Sequence, residues 1–238
     1  VYLWWPRNVR AHRRKVELKL STGSLVAVDI PVLAVIRTQD EPRCIAHLGP
    51  SVCGVYDHAA ALSRFCTGAD LPISQALLDQ TLVAGFGNIY AVETPFICGV
   101  NPHTPLSALS DVSALLSIAV ALIRTNARRG PQNTTGQQLH RSRHWVLSKH
   151  THQCPVCGAK VNRLSGSDSV WHRRTAWCTM CQRNEHMKVD LERAGNLLRS
   201  HPCRDLVDLR TGRLQAEVME PVQCELLSSN EGGRKNMR

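Results

Sequence analysis

Apolar and charged residues alternate near the start of the chain, and this pattern predicts β-strands. Apolar side chains occupy every second position from residue 16 to residue 20, with Glu or Lys between them, which is the period of a half-buried strand. A Ser-Thr-Gly-Ser turn at 21–24 leads into a second predicted strand at 25–29, and residues 32–36 predict a third. Three short strands are too little sheet for a stable domain, so we expect them to need a partner layer.

From residue 57 onward, apolar residues recur every three or four positions, which predicts helices. Asp57 and Asp70 stand where N-caps are expected, and Gly85-Phe86-Gly87-Asn88 interrupts the helical pattern. The predicted helices cover residues 59–65, 72–79, 89–97, 109–126 and 187–198. The segments without a helical pattern are a polar loop at 128–136, the residues after Pro202, and a tail at 228–238 that we expect to be disordered.

The positive charge of the chain is concentrated in its first three quarters. The formal net charge is +10, and residues 1–182 carry 19 of the 29 Lys and Arg, 10 of the 19 Asp and Glu, and all of the aromatic residues. This distribution favours a polyanionic partner such as nucleic acid, although a basic solvated surface is the simpler alternative. The longest apolar stretch, 113–123, is about half of what spans a bilayer, so we expect no membrane span.

Four of the ten cysteines form two pairs with the spacing of a metal site. Cys154-x2-Cys157 and Cys178-x2-Cys181 are separated by 20 residues, which is typical of a zinc ribbon. Four thiolates favour Zn²⁺ over Mg²⁺ or Ca²⁺, with iron or a redox-active dithiol as alternatives. Because four cysteines fill a tetrahedral site, we expect a structural metal and no ligand role for the neighbouring histidines 150, 152 and 172.

Two adjacent arginines lie between the cysteine pairs, just before the second one. Side chains alternate along a strand, so Arg173 and Arg174 cannot both face a core. At least one guanidinium is therefore expected to be available for a phosphate group, to which it can donate two hydrogen bonds. The alternative is a solvated pair without a partner.

Two ordered motifs resemble the formamidopyrimidine-DNA glycosylase and endonuclease VIII (Fpg/Nei) family. Residues 77–80 (Leu-Leu-Asp-Gln) and 83–93 (Val-Ala-Gly-Phe-Gly-Asn-Ile-Tyr-Ala-Val-Glu) are similar to its helix–two-turn–helix, and the cysteine quartet with Arg173 to Gln182 is similar to its zinc finger. His47-Leu48-Gly49-Pro50 resembles the stretch that joins its β domain to its helical domain. The strand near Pro31 lacks the arginine pair of formamidopyrimidine glycosylases, which favours the endonuclease VIII branch.

The resemblance implies an α+β fold with four parts. We expect a partial β domain at 1–46, the remnant of an N-terminal antiparallel β-sandwich, and a helical DNA-binding domain at 47–150. A zinc finger at 151–182 and a partly disordered extension at 183–238 follow. The family's catalytic Pro-Glu is expected at the extreme N-terminus, whereas this chain begins Val1-Tyr2-Leu3, which predicts an N-terminally truncated member.

The resemblance also implies a function, which is base-excision repair by a DNA glycosylase and AP lyase acting on double-stranded DNA with damaged bases or abasic sites. By position, Asn88 and Gly87 match the phosphate-binding turn, although Asn88 could instead only cap its helix, and Arg173 and Arg174 match the arginine region of the finger. No catalytic residue can be assigned in this chain. We expect structural Zn²⁺, a monomer and a location in the bacterial cytoplasm with the nucleoid, and the alternative is a catalytically inactive DNA-binding remnant.

Overall fold

The computed structural model describes residues 11–21, 23–28, 33–129, 132–137, 143–148, 152–165, 173–185 and 187–215. The chain divides into two compact units, residues 1–46 and 47–238. The helices are α1 (Glu41–Ile45), α2 (His58–Cys66), α3 (Ile73–Leu78), α4 (Asn88–Ile97), α5 (Val112–Arg129) and α6 (Leu191–Leu197). The strands are β1 (Arg14–Leu20), β2 (Gly23–Val28), β3 (Val161–Leu164), β4 (Thr175–Cys178), β5 (Val207–Asp208) and β6 (Arg213–Leu214).

The first unit contains an antiparallel β-hairpin followed by a short helix. β1 pairs with β2 with Leu18 opposite Leu25, and the register shifts between Arg14 and Val16. The prediction of a third strand is wrong over residues 33–36, which have no regular structure. The side chain of Val35 is fully exposed there and has no neighbouring strand to pack against in the described part of the unit.

The second unit is built around α5, which supplies a continuous row of buried residues. Its positions 114–123 are nearly all inaccessible to solvent and pack against α2 and α4, in a core that also includes residues of α3. The predicted helices are confirmed, and their ends differ for local reasons. α5 begins at Val112 and not at Leu109 because Asp111 Oδ1 accepts the Ala114 N–H at 3.0 Å, as an N-cap does. In the described part of the chain, no helix combines the length and the apolarity needed to cross a membrane.

The N-cap predictions for the first two helices of this unit have different outcomes. The Asp57 carboxylate accepts the N–H groups of Ala59 and Ala60 at 2.9 and 3.1 Å, so the predicted cap of α2 is confirmed. α3 does not start at Asp70. Its N-cap is Pro72, whose extended backbone (ψ 141°) forms a β-bridge with a distant segment before the helix begins.

The segment after the last cysteine folds onto the core of the second unit. α6, a 3-10 turn at Pro202–Asp205 and the β5–β6 hairpin occupy this segment, so the expectation that regular structure fades after Pro202 is wrong. Five of its side chains are buried in the same core as α5, namely Val189, Ala194, Leu198, Cys203 and Val207. The elements beyond residue 202 are too short to give a periodic apolar pattern, although their apolar side chains are buried in the core. The predicted tail at 228–238 lies outside the described residues.

Gly85 is the residue on which the turn before α4 depends most strongly. Its φ is +119°, and a Cβ there would lie 2.6 Å from Val52 Cγ2. We expect Gly85→Ala to lower the free energy of unfolding by about 2 kcal/mol, because the left-handed backbone is strained and the side chain collides. Urea unfolding would measure this loss. Gly87→Ala is the matched control, because a Cβ at Gly87 meets nothing within 4 Å, and equal losses in the two variants would contradict the argument.

Candidate nucleic-acid interface and metal centre

The candidate anion site lies at the N-terminus of α4. The N-cap is Gly87, whose carbonyl oxygen accepts the N–H groups of Tyr90 and Ala91 at 3.0 and 3.2 Å. The amide N–H groups of Asn88 and Ile89 have no acceptor among the described residues. These free donors coincide with the positive end of the helix dipole, so this terminus is suited to bind an anion. The space beside Gly87 is open, which lets a large group approach the backbone.

The turn that leads into α4 is held by the side chain of Gln80. Its Oε1 accepts the Gly85 N–H at 2.8 Å, and its Nε2 donates to the carbonyl oxygens of Phe86 and Leu78 at 2.9 and 3.0 Å. The Gln80 side-chain amide therefore fixes the Gly-Phe-Gly turn through both its oxygen and its nitrogen. This arrangement explains why the motif needs a glutamine at this position.

The stretch at 47–54 runs beside the same turn and is bound to it. Val52 donates its N–H to the Ala84 carbonyl oxygen at 3.0 Å, and Arg124 Nη1 donates to the carbonyl oxygens of Val52 and Gly54 at 2.8 and 3.2 Å. The Arg124 side chain is fully buried, and burial, aided by the charge of Arg128, lowers the pKa of its guanidinium. Sequence reasoning missed this arginine because its partners are backbone atoms 70 and 72 residues away.

The structure brings Asn88 together with the two predicted arginines. Asn88 Nδ2 donates to the carbonyl oxygen of Arg174 at 2.9 Å, across 86 residues of sequence. Arg173 and Arg174 immediately precede β4, and both side chains are exposed. Asn88 is the first residue of α4 and makes no cap of its own, so the interpretation that it only caps the helix is wrong. The hydrogen bond joins the N-terminus of α4 to the backbone of the segment that carries the two exposed arginines.

The four predicted cysteine ligands converge on one point. Their sulfur atoms lie within 4.8 Å of one another, with Cys154–Cys181 at 3.7 Å and Cys157–Cys178 at 3.5 Å. A tetrahedron with Zn–S bonds of about 2.3 Å has sulfur–sulfur separations of about 3.8 Å, so the cluster fits a zinc ion. His152 is exposed and outside the cluster, and His150 and His172 lie outside the described residues.

Gln182 joins the cysteine cluster to the helical core. Its side chain is fully buried, its Oε1 accepts the Cys178 N–H at 2.9 Å, and its Nε2 donates to the Val100 carbonyl oxygen at 2.8 Å. The Gln182 carbonyl oxygen in turn accepts from Asn101 Nδ2 at 3.1 Å. The position of the second cysteine pair is therefore set by the segment that follows α4.

Glu93 is a buried carboxylate that binds the backbone of the segment at 143–148, which packs beside the cysteine cluster. It is inaccessible to solvent, and it accepts the N–H groups of Trp145, Val146 and Leu147 at 2.6 to 2.9 Å and the Thr134 hydroxyl at 2.7 Å. The sequence motif includes this residue without indicating its role. The sequence does contain one indication of this role, because a single charged residue in the otherwise apolar helix α4 predicts that the charge is buried and hydrogen-bonded.

Comparisons with known proteins agree with this geometry. Residues 53–137 match the formamidopyrimidine-DNA glycosylase H2TH domain family. "Endonuclease 8 2" of Mycobacterium tuberculosis (strain CDC 1551 / Oshkosh) is 34% identical over 183 residues, which cover 74% of this chain and 70% of the relative. The chain belongs to the Fpg/Nei family. "DNA-(apurinic or apyrimidinic site) lyase Nei2" of Mycolicibacterium smegmatis is 29% identical, covering 74% of this chain and 68% of the relative.

Solved structures of the Fpg/Nei family share the fold. Lactococcus lactis formamidopyrimidine-DNA glycosylase, non-covalently bound to DNA containing an AP site, superposes with a TM-score of 0.56 at 23% identity, covering 76% of this chain and 68% of that chain. MutM in complex with DNA containing carbocyclic 8-oxo-G gives a TM-score of 0.56 at 23% identity, covering 75% and 69%. The predicted family, its endonuclease VIII-like branch and the α+β fold class are thus confirmed.

Proposed function

We propose that this Fpg/Nei chain is a base-excision-repair DNA glycosylase and AP lyase whose residues 47–215 hold double-stranded DNA at damaged bases or abasic sites. The observation that supports the proposal is the hydrogen bond from Asn88 to the Arg174 carbonyl oxygen, which joins the start of α4 to the segment that carries two exposed arginines. The relatives named as endonuclease 8 and as an AP lyase support the reaction class.

Each part of this surface has a proposed role in holding the DNA backbone. The free N–H groups at the start of α4 and the Asn88 Nδ2 donate hydrogen bonds to one phosphate, and the open space beside Gly87 admits it. Arg173 and Arg174 hold neighbouring phosphates through charge-assisted hydrogen bonds. Backbone contacts of this kind position the duplex and offset the cost of turning a damaged nucleotide out of the stack, which is a few kcal/mol.

The metal has a structural role in this proposal. Zn²⁺ bound by Cys154, Cys157, Cys178 and Cys181 closes the finger at 151–182 and thereby fixes the arginines against the helical domain at 47–150. A set of four cysteines leaves no open coordination position for a substrate, so the ion supplies no chemistry to DNA. We propose a monomer that acts on nucleoid DNA in the bacterial cytoplasm.

Binding to a duplex with one abasic site tests the DNA-holding role. We expect log affinity to fall linearly with log salt, with a slope near −0.9 per phosphate held and about four to six phosphates in all. Arg173→Ala and Arg174→Ala should each weaken binding about tenfold and reduce the steepness of the slope by about 0.9. Arg210→Ala, an exposed arginine in the turn between β5 and β6, is the matched control. A flat salt dependence in the unmodified chain would refute the proposal.

A second function is favoured by the composition of the site itself. Asn88 contributes an amide, and the segment that it contacts carries two exposed guanidinium groups, and such groups bind phosphate but do not attack a sugar carbon. The chain could therefore hold DNA without cleaving it. Borohydride trapping on a duplex with one abasic site separates the two functions, because only an amine that reaches C1′ gives a covalent adduct. Salt-sensitive binding without an adduct would favour the binding module.

A further inference from the structure

We propose that His201, in the segment after the last cysteine, is a positioning residue for the phosphate site at the start of α4. The inference rests on the proposed DNA-holding function and extends it to a part of the chain outside the helical domain and the finger. His201 is buried (2% exposed). It acts through the backbone carbonyl oxygen of Asn133 and the side chains of Asn126 and Tyr90, which are linked in turn by hydrogen bonds.

The first link joins His201 to the loop at 132–137. His201 Nδ1 accepts the Cys203 N–H at 3.1 Å, which leaves the proton on Nε2, and Nε2 then donates to the Asn133 carbonyl oxygen at 2.9 Å. The backbone also packs closely here. Gly136 has φ +79°, and a Cβ on it would lie 2.6 Å from the Ser200 carbonyl oxygen. The backbone at Ser200 therefore packs directly against this loop.

The second link joins the loop to α5. Asn133 donates its N–H to Asn126 Oδ1 at 3.0 Å, and Asn126 Nδ2 returns a hydrogen bond to the Asn133 carbonyl oxygen at 2.9 Å. The Asn133 side chain closes the loop on itself, because its Oδ1 accepts the N–H groups of Thr135 and Gly136. The carbonyl oxygen of Asn133 thus receives donors from both His201 and Asn126, which fixes its position on two sides.

The third link reaches the first turn of α4. Asn126 Nδ2 also donates to the hydroxyl oxygen of Tyr90 at 3.2 Å. Burial raises the pKa of the Tyr90 phenol to about 12, so the group is neutral over the working pH range. The Tyr90 N–H bonds to the carbonyl oxygen of Gly87, the N-cap beside Asn88. Hydrogen bonds therefore link the C-terminal segment to the Tyr90 side chain, and the Tyr90 backbone bonds in turn to the N-cap at the phosphate site.

A double-mutant cycle between His201 and Asn88 tests this coupling. We expect His201→Ala to weaken binding to an abasic-site duplex about fivefold and to reduce the salt slope, because the first turn of α4 loses its fixed position. His201→Gln, whose amide can still donate to Asn133, should restore most of the affinity. In the Asn88→Ala background, His201→Ala should weaken binding less than twofold, because the contact that His201 positions is already gone.

A second readout separates positioning from a general loss of stability. Hydrogen exchange at the Tyr90 and Ala91 amides, whose acceptor is Gly87, should become faster in His201→Ala. Val207→Ala is the matched control, since Val207 is buried in the same core but does not belong to the hydrogen-bonded chain. Unchanged exchange at these amides would overturn the inference. It would also be overturned if the losses of DNA affinity caused by His201→Ala and by Asn88→Ala simply multiplied in the double variant. If the unmodified chain failed to bind DNA while the exchange effect remained, the proposed function would fall and the positioning role would stand.

Discussion

Removal of the metal from the four-cysteine cluster should unfold residues 152–182 and weaken DNA binding by about tenfold or more. In the described finger, β3 and β4 form an antiparallel pair of four-residue strands, with one further bridge from Gln153 to Lys160, and Cys154 and Cys178 lie in a small core shared with α4. A two-stranded hairpin is marginally stable alone, so the ion supplies most of the folding free energy of this part. Once it unfolds, Arg173 and Arg174 lose their fixed place beside Asn88, and two charge-assisted contacts to phosphate are lost.

The measurement combines metal analysis, hydrogen exchange and binding on the same sample. One equivalent of zinc is expected in the purified protein, and a strong chelator should speed amide exchange in β3 and β4 while α5 stays protected. Restoring Zn²⁺ should return both the protection and the affinity. If the chelated protein shows fast amide exchange in the finger but keeps its full affinity for DNA, the finger is not part of the DNA interface.

Local signals in the sequence predict most of the elements that build this site. A cap such as Asp57 acts on amides two and three residues away, and a Cys-x2-Cys corner is a tight turn, so both leave their signature within a few positions. The Gly-Phe-Gly-Asn turn is predicted for the same reason. The failed third strand shows the limit of such reasoning, because a short apolar run becomes a strand only where a neighbour pairs with it.

The contacts that assemble the site depend on pairs of residues far apart in the sequence. Asn88 and Arg174 are recognisable as separate motif residues, but their hydrogen bond across 86 residues follows only from the packed fold. The same holds for Arg124, whose acceptors are carbonyl groups that no side-chain pattern marks. His201 is the most distant example. It lies in a segment whose short elements have no periodic pattern, and its role depends on a loop 68 residues earlier.

Substitution of the buried carboxylate Glu93 should cause the largest loss of stability of any single change considered for this chain. Glu93→Ala leaves three backbone N–H groups without their acceptor in a site closed to solvent, while the Thr134 hydroxyl keeps only the Arg143 carbonyl oxygen as acceptor. An unsatisfied buried donor costs about 1–3 kcal/mol, so we expect a loss of about 4 kcal/mol or more in the free energy of unfolding. That is a large share of the roughly 5–15 kcal/mol that stabilises a typical domain.

The conservative variant Glu93→Gln identifies which half of the carboxylate matters. Oε1 accepts Val146 and Leu147, while Oε2 accepts Trp145 and Thr134. A glutamine can keep its oxygen toward the first pair, whereas its NH2 group faces the Trp145 N–H without an acceptor between them. We therefore expect an intermediate loss of about 2 kcal/mol by urea unfolding, with the exposed Glu185→Ala near zero as control. Equal stability of all three variants would mean that water replaces the carboxylate, and that the segment at 143–148 is held in place mainly by its apolar contacts.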